Sequence, residues 1–276
     1  MSTAPHRARK RFGQNFLHDQ NIIGRIVRAI APGPGQTLIE IGPGQGAITG
    51  PLLDATDQLT AIEIDRDLAA ALRVRFAARP GFRLIEQDVL KVNFAELGSG
   101  SSAGRSAPDS LRILGNLPYN ISTPLLFHLL EYRDLIHDMV FMLQLEVVDR
   151  MAALPGTPDY GRLSVMMQYH CKVEKLFTVP PGAFSPQPKV DSAIVKLTPW
   201  RPLPHPARNP DTLGRVVRTA FSQRRKTLRN TLKTLLLPEY LEASGIDLSL
   251  RPENIGLRDY VRISDLVDQH SDSFLE

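Results

Sequence analysis

Residues 40–49 read EIGPGQGAIT, the end of an apolar run, TLIEI (37–41), passing through Gly42, Gly44 and Gly46 into a stretch of helical character. Glycines at such a turn let the backbone bend sharply and approach a ligand, and the following helix offers unpaired N–H groups. Their spacing is G-x-G-x-G, which departs from the dinucleotide fingerprint G-x-G-x-x-G, whose third glycine lets the helix pack near a pyrophosphate. A plain strand-to-helix turn and a nucleoside-binding turn both fit the glycines in isolation. The apolar runs downstream of them decide the fold.

The runs TAIEI (60–64), FRLIEQ (82–87), LRIL (111–114) and MVFML (139–143) repeat the pattern of TLIEI, with PLLDA and DLAAALRVRFAA between them at helical spacing. Short continuous apolar runs alternating with amphipathic stretches predict βα repeats around a parallel, doubly wound, Rossmann-like sheet. The Ser/Gly-rich stretch 97–110 reads as a loop without chemistry. Further on, YGRLSVMMQYHC reads as a buried helix, and KVEKLFTVP and KVDSAIVKLTP as two strands flanking PGAFSPQP, an antiparallel pair added to the sheet's edge. The proline-dense WRPLPHPARNP is the best linker. It divides the chain into a catalytic domain, 1–204, and a small all-helical domain, 205–276, where Val217, Phe221, Leu228, Leu232 and Leu235 recur at roughly helical spacing. No internal repeat is present.

With 276 residues and 42% hydrophobic content, the chain can build a full α/β core and a smaller domain. Its one cysteine, Cys171, excludes an internal disulfide framework and a cysteine-rich metal site. The histidines, His6 and His170 among them, show no metal-ligand spacing, and Met166-Met167 reads as core. No apolar run reaches membrane-spanning length, and the basic N-terminus has no apolar stretch behind it. A soluble cytoplasmic protein is expected, and a monomer, since no segment presents an unused apolar face.

Net charge is only +4, but Arg7, Arg9, Lys10 and Arg11 crowd the start, and Arg224, Arg225, Lys226, Arg229 and Lys233 a later segment. Together with a pI near 9.3, these clusters favour a polyanionic partner. The segment AFSQRRKTLRNTLK is expected to be one helix in which Arg225, Arg229 and Lys233 line a phosphate-facing side.

The chemistry gathers at strand ends. Glu63 ends the second strand, where a carboxylate can accept bonds from both ribose hydroxyls, and Asp88 ends the third, within reach of an exocyclic adenine amine. After LRIL comes GNLPYN (115–120). Asn116 cannot act as a base, but its side-chain oxygen and the main-chain carbonyl of Leu117 can accept two bonds from an amino group. An exocyclic adenine amine is a poor nucleophile because its lone pair is shared with the ring; two acceptors that draw it towards tetrahedral geometry localise that pair. Pro118 fixes the turn, and Tyr119 offers a face for a base to stack on, worth about 1–3 kcal/mol.

These residues resemble a known family. NLPY is similar to the motif of adenine-N6 methyltransferases. FGQNFL (12–17), GNLPYNIST (115–123), YGRLSV (160–165) and FSPQPKVDSAIVKL (184–197) resemble, in order and over nearly the whole chain, the KsgA/RsmA family of small-subunit rRNA adenine dimethyltransferases. The resemblance implies S-adenosylmethionine (SAM) as cofactor, held by Asn15, Leu17, Gly42, Glu63, Asp88 and Asn116, and 16S rRNA within the assembling small subunit as partner, with no metal. It also implies that Phe184 sandwiches a flipped base against Tyr119, whereas from the residues alone Phe184 reads as a loop anchor packed in the core. A large-subunit methyltransferase of the Erm type and a non-catalytic assembly factor are the alternatives within this resemblance. An NAD-type oxidoreductase is disfavoured by the glycine spacing and by NLPY.

Overall fold

The computed structural model describes residues 15–33, 35–97, 110–118, 121–223 and 225–270. Of the residues singled out from the sequence, Arg7, Arg9, Lys10, Arg11, Tyr119 and Arg224 lie outside them, as do Phe12 to Gln14 of the FGQNFL segment and most of the Ser/Gly-rich stretch. In chain order the elements are β1 (Phe16–Leu17), α1 (Gln20–Ile30), β2 (Thr37–Ile41), α2 (Thr49–Leu53), β3 (Leu59–Glu63), α3 (Arg66–Arg75), β4 (Phe82–Glu86), β5 (Leu111–Asn116), α4 (Ser122–Leu130) and β6 (Ile136–Gln144). They continue with α5 (Leu145–Ala152), α6 (Arg162–His170), β7 (Cys171–Val179), β8 (Phe184–Ser185), β9 (Ser192–Pro199), α7 (Pro210–Ala220), α8 (Leu228–Leu232), α9 (Pro238–Glu242) and α10 (Leu257–Gln269).

Seven strands form one sheet in the order β4-β3-β2-β5-β6-β9-β7. The first five are parallel and β9 runs antiparallel to β6, so the two late strands do extend the edge. All five residues of β2 are buried, as expected of a strand covered on both faces. The strand order reverses between β2 and β5, and an open sheet of this kind binds ligands at the carboxyl ends of the strands that flank such a switch.

Two local features fix that carboxyl edge. Gly115 pairs with Ile41, and a Cβ at Gly115 would lie 2.3 Å from the Ile41 carbonyl oxygen, so only glycine lets β5 lie this close to β2. Gly46, at φ 78°, sits where a Cβ would come within 2.9 Å of the Phe76 ring, which lets the end of α3 cover the glycine turn.

Helix α1 is not among the elements expected from the sequence, although its signals are there. Asp19 caps it, accepting from the Asn21 and Ile22 N–H groups at 2.8 and 3.1 Å, and Ile22, Ile23, Ile26 and Ile30 form its buried face. It stops at Ala31, which is left-handed at φ 47°. Arg112, buried in β5, binds this terminus: Nη2 donates to Ile30 O at 2.6 Å and Nη1 to Ala31 O at 3.1 Å, while Nε and Nη2 each reach an Asp138 carboxylate oxygen at 2.8 Å. Just upstream, β1 pairs antiparallel with β8, Phe16 with Ser185 and Leu17 with Phe184, and His18 N–H donates to Ala183 O at 3.0 Å.

The chain divides into two compact units, 1–148 with 174–199, and 149–173 with 200–276. The proline-based boundary at 204/205 thus differs from this division: residues 149–173 group with the C-terminal helices. The Trp200 indole N–H donates to Gln168 O at 3.0 Å, the Ala207 N–H to the Tyr169 hydroxyl at 3.2 Å, and Tyr160 packs edge-on to Phe221, itself beside Tyr260.

Within this unit the expected single basic helix is two pieces. α7 ends at Ala220, the helix is interrupted at residues 221–223 and 225–227, and α8 begins at Leu228, whose N–H donates to Leu250 O at 2.8 Å. The aromatic packing of Phe221 and the burial of Leu228, Leu232 and Leu236 redirect the chain, so Arg225, Arg229 and Lys233 do not form one helical stripe. Leu236, rather than Leu235, is the buried residue.

Candidate functional site

A cavity of about 350 Å³ opens at the carboxyl edge of the sheet, within the size range of small-molecule sites. Asn15 and Leu17 (around β1), Gly42 and Gly44 (after β2), Glu63 (end of β3), Asp88 (after β4), and Asn116 and Leu117 (end of β5) all line it. The structure therefore brings together every described cofactor-site residue expected from the sequence.

Glu63 is 6% exposed and already held. Its Oε1 accepts from the Asp65 N–H at 2.9 Å and its Oε2 from the Gly44 N–H at 3.3 Å, so the carboxylate couples the glycine turn to the end of β3. Burial raises its pKa, and bonds from the Asp65, Gly44 and Ile64 N–H groups pull against that rise. Gly42 and Gly44 have φ of 65° and 58°, the left-handed region in which a side chain is strained. A Cβ on Gly42 would stand 3.6 Å from Asn116 O and one on Gly44 3.2 Å from the Phe16 ring, so the turn meets β5 on one side and β1 on the other. Asp88 accepts the Leu90 N–H through Oδ1 at 3.1 Å.

Asn116 lines the cavity with its amide held in place. Its Nδ2 donates to Asn15 O at 3.2 Å, which fixes the amide and presents Oδ1 as the accepting end. The Leu117 N–H is consumed by Met142 O at 3.1 Å, anchoring the turn to β6. An amide acceptor on the wall of a cavity that also holds a buried carboxylate suits an amine brought up to a nucleoside cofactor.

Phe184 does not line the cavity. It is 2% exposed and packs in the core with Leu17, Ile194 and Val179, so the structure gives it the loop-anchor position. Arg225, Lys226, Arg229 and Lys233 are exposed in the helical unit, and Arg229 pairs with Glu242 at 2.7 Å.

Sequence reasoning passed over Glu40. It sits inside β2, 2% exposed, lines the cavity and accepts from Thr49 Oγ1 at 2.6 Å. Burial pushes its pKa up to about 7, the Thr49 bond lowers it and the nearby Glu63 charge adds to the rise. The signal was an acid inside an otherwise apolar strand. Among the described residues, no cluster of three or more His, Cys, Asp or Glu could hold a metal ion, and no helix is long and apolar enough to cross a membrane.

A family model described as "Ribosomal RNA adenine dimethylase" matches residues 5–269. Relatives named "Ribosomal RNA small subunit methyltransferase A" include one from Pseudomonas syringae pv. syringae, 58% identical over 96% of each chain. Another, from Pseudomonas putida, is 59% identical over 96% of this chain and 97% of its own. Among solved structures, a dimethyladenosine transferase from Plasmodium falciparum superposes with a TM-score of 0.76 at 26% identity, covering 94% of this chain and 98% of that one. The 23S rRNA methyltransferase ErmE gives 0.69 at 26% identity, covering 92% and 100%.

Proposed function

The chain belongs to the ribosomal RNA adenine dimethylase family, and on that premise we propose that it transfers methyl groups from SAM to N6 of two adjacent adenosines in a hairpin loop near the 3′ end of 16S rRNA, during assembly of the small subunit. It acts in the cytoplasm, as a monomer. The observation that carries the reading is the Asn116 amide, held by Asn15 and lining the same cavity as Glu63.

Asn15, Leu17 and Gly42 would shape the cofactor's seat, with Glu63 accepting from the ribose hydroxyls and Asp88 from the adenine amine. Bound there, SAM supplies an electrophilic sulfonium methyl. Asn116 Oδ1 and the Leu117 carbonyl would accept the two hydrogens of the target amine and localise its lone pair for attack. The protein contributes proximity and fixed dipoles, with no covalent intermediate on the chain. Tyr119 is the aromatic partner assigned to the target base. A stacking role for Phe184 requires its ring to leave the core, and its burial supports the loop from within. Arg224, Arg225, Lys226, Arg229 and Lys233 supply phosphate contacts that position the RNA without reading its sequence.

The likeness to ErmE makes a large-subunit target the second reading. The small-subunit relatives, at 58–59% identity, support the first. Incubation with radiolabelled SAM and small subunits lacking the modification, followed by nucleoside analysis, tests it. Dimethyladenosine in small-subunit RNA is expected. Label only in large-subunit RNA would favour the second reading, and RNA binding without any transfer would favour a non-catalytic assembly role. Glu63→Ala should weaken cofactor binding.

A further inference from the structure

Opposite its isoleucine face, α1 carries Arg25 and Arg28, both exposed. Three residues apart, they project from one side of the helix. The Arg25 guanidinium lies over the ring of Phe177 in β7, 3.9 Å from its centroid. β7 is the last strand of the sheet, and because alternate residues share a face, Lys175 stands on the same side of it as Phe177.

Arg66, Arg73, Arg79, Arg112 and Arg133 all meet carboxylates. Arg25 and Arg28 meet none among the described residues. No acid occurs between Gln20 and Ile30, and Asp19 is engaged in capping. Stacking over an aromatic ring holds a guanidinium in place while its edge keeps donors for a planar anion. Leu17, on the cavity wall, lies three residues before the first residue of α1, and Arg25 and Arg28 lie about 8 and 12 Å along the helix from that first residue, towards the end that Arg112 binds.

We propose that this face of α1, with the neighbouring edge of β7, binds phosphates of the substrate RNA. The proposal rests on the rRNA methyltransferase reading and adds to it a contact surface on the sheet unit itself, separate from the basic segment of the helical unit. Guanidinium groups bind phosphate oxygens in bidentate fashion, and each phosphate neutralised releases counterions and steepens the salt dependence of binding.

The test uses the full chain with Arg25→Gln and Arg28→Gln together, and with both changed to Lys. RNA binding is measured across a KCl series, and steady-state methyl transfer is followed on small subunits lacking the modification. The Gln pair should flatten the slope of log Kd against log salt by about 1.5 to 2 and raise KM for the subunit roughly tenfold at low salt, with kcat and SAM affinity unchanged. The Lys pair should restore most of the slope. Because Arg28 also lies at the negative end of the helix dipole, melting curves of both variants establish that each is folded. An unchanged slope and KM, with wild-type transfer intact, would overturn the proposal and return the face to ordinary solvation. A raised KM on subunits with an unchanged slope on naked RNA would overturn it in favour of a protein contact. Failure of the wild-type chain to methylate rRNA would instead sink the reading beneath it.

Discussion

The side-chain amide of Asn116 donates to the main-chain carbonyl of Asn15 at 3.2 Å, so a residue at the end of β5 takes its orientation from the segment that opens the described chain. Removing the side chain removes the acceptor but leaves Glu63, Asp88 and the glycine turn untouched. Asn116→Ala is expected to lower kcat by about 100-fold or more, the order seen when one preorganised polar group is lost, while SAM affinity measured by calorimetry stays within a few-fold. Near-normal turnover would show that the amine is activated elsewhere.

Gly115→Ala places a methyl group 2.3 Å from the Ile41 carbonyl oxygen, a main-chain atom that cannot move without disturbing the β2–β5 ladder. A loss of about 1–3 kcal/mol is expected, as for overpacking generally, and thermal melts read it directly. Asn116 is the next residue, so the folded fraction should also turn over more slowly.

Glu40 carries a pH signature. Its folded pKa of about 7 exceeds the ordinary 4.5, so between those values the folded state binds more protons than the unfolded state. Stability is then highest below the unfolded value and falls as pH rises through 7, by about 3 kcal/mol for this group alone. Glu40→Gln keeps an acceptor for Thr49 without the ionisation. Urea unfolding at pH 5.5 and pH 8 should show a smaller decline in the variant than in the wild type; equal declines would refute the assignment.

Arg112→Met leaves Asp138 buried with Lys196, 3.1 Å away, as its remaining cationic partner. Burial alone raises the Asp138 pKa, but the bonds and charges of Arg112 and Lys196 outweigh it and hold the group below 3.8. Its stabilisation is present above that value and lost as pH falls through the folded pKa. Breaking such a pair costs about 3–5 kcal/mol. Chemical denaturation at pH 7 should show a loss of that order, with SAM binding retained at low temperature because Arg112 does not line the cavity.

Local pattern made part of the molecule legible. TLIEI, TAIEI and FRLIEQ read as strands because a covered parallel sheet leaves near-continuous apolar runs, and Glu63, Asp88 and Asn116 were readable because strand ends are where an open sheet offers polar groups. The break in AFSQRRKTLRNTLK was not, since it depends on Phe221 meeting Tyr160 and on Leu228 bonding to Leu250, partners distant in sequence. Grouping of residues 149–173 with the C-terminal helices rests likewise on remote contacts such as Trp200 to Gln168. For Phe184, motif and burial point different ways. The motif assigns a role in an RNA complex, and the core position describes the chain by itself.

The pairing of Leu17 with Phe184 bears on how the enzyme comes into being. A chain made from its N-terminus produces the glycine turn, Glu63, Asp88 and Asn116 well before β8, yet the strand that holds Asn15 and Leu17 against the cavity hydrogen-bonds to β8. Such distant pairings close late, because the intervening loop must be ordered first. A nascent chain that has reached only Asn116 therefore has most of the residues proposed to hold the cofactor but lacks this support for one wall, and SAM binding is expected to begin only after residue 185 has left the ribosome.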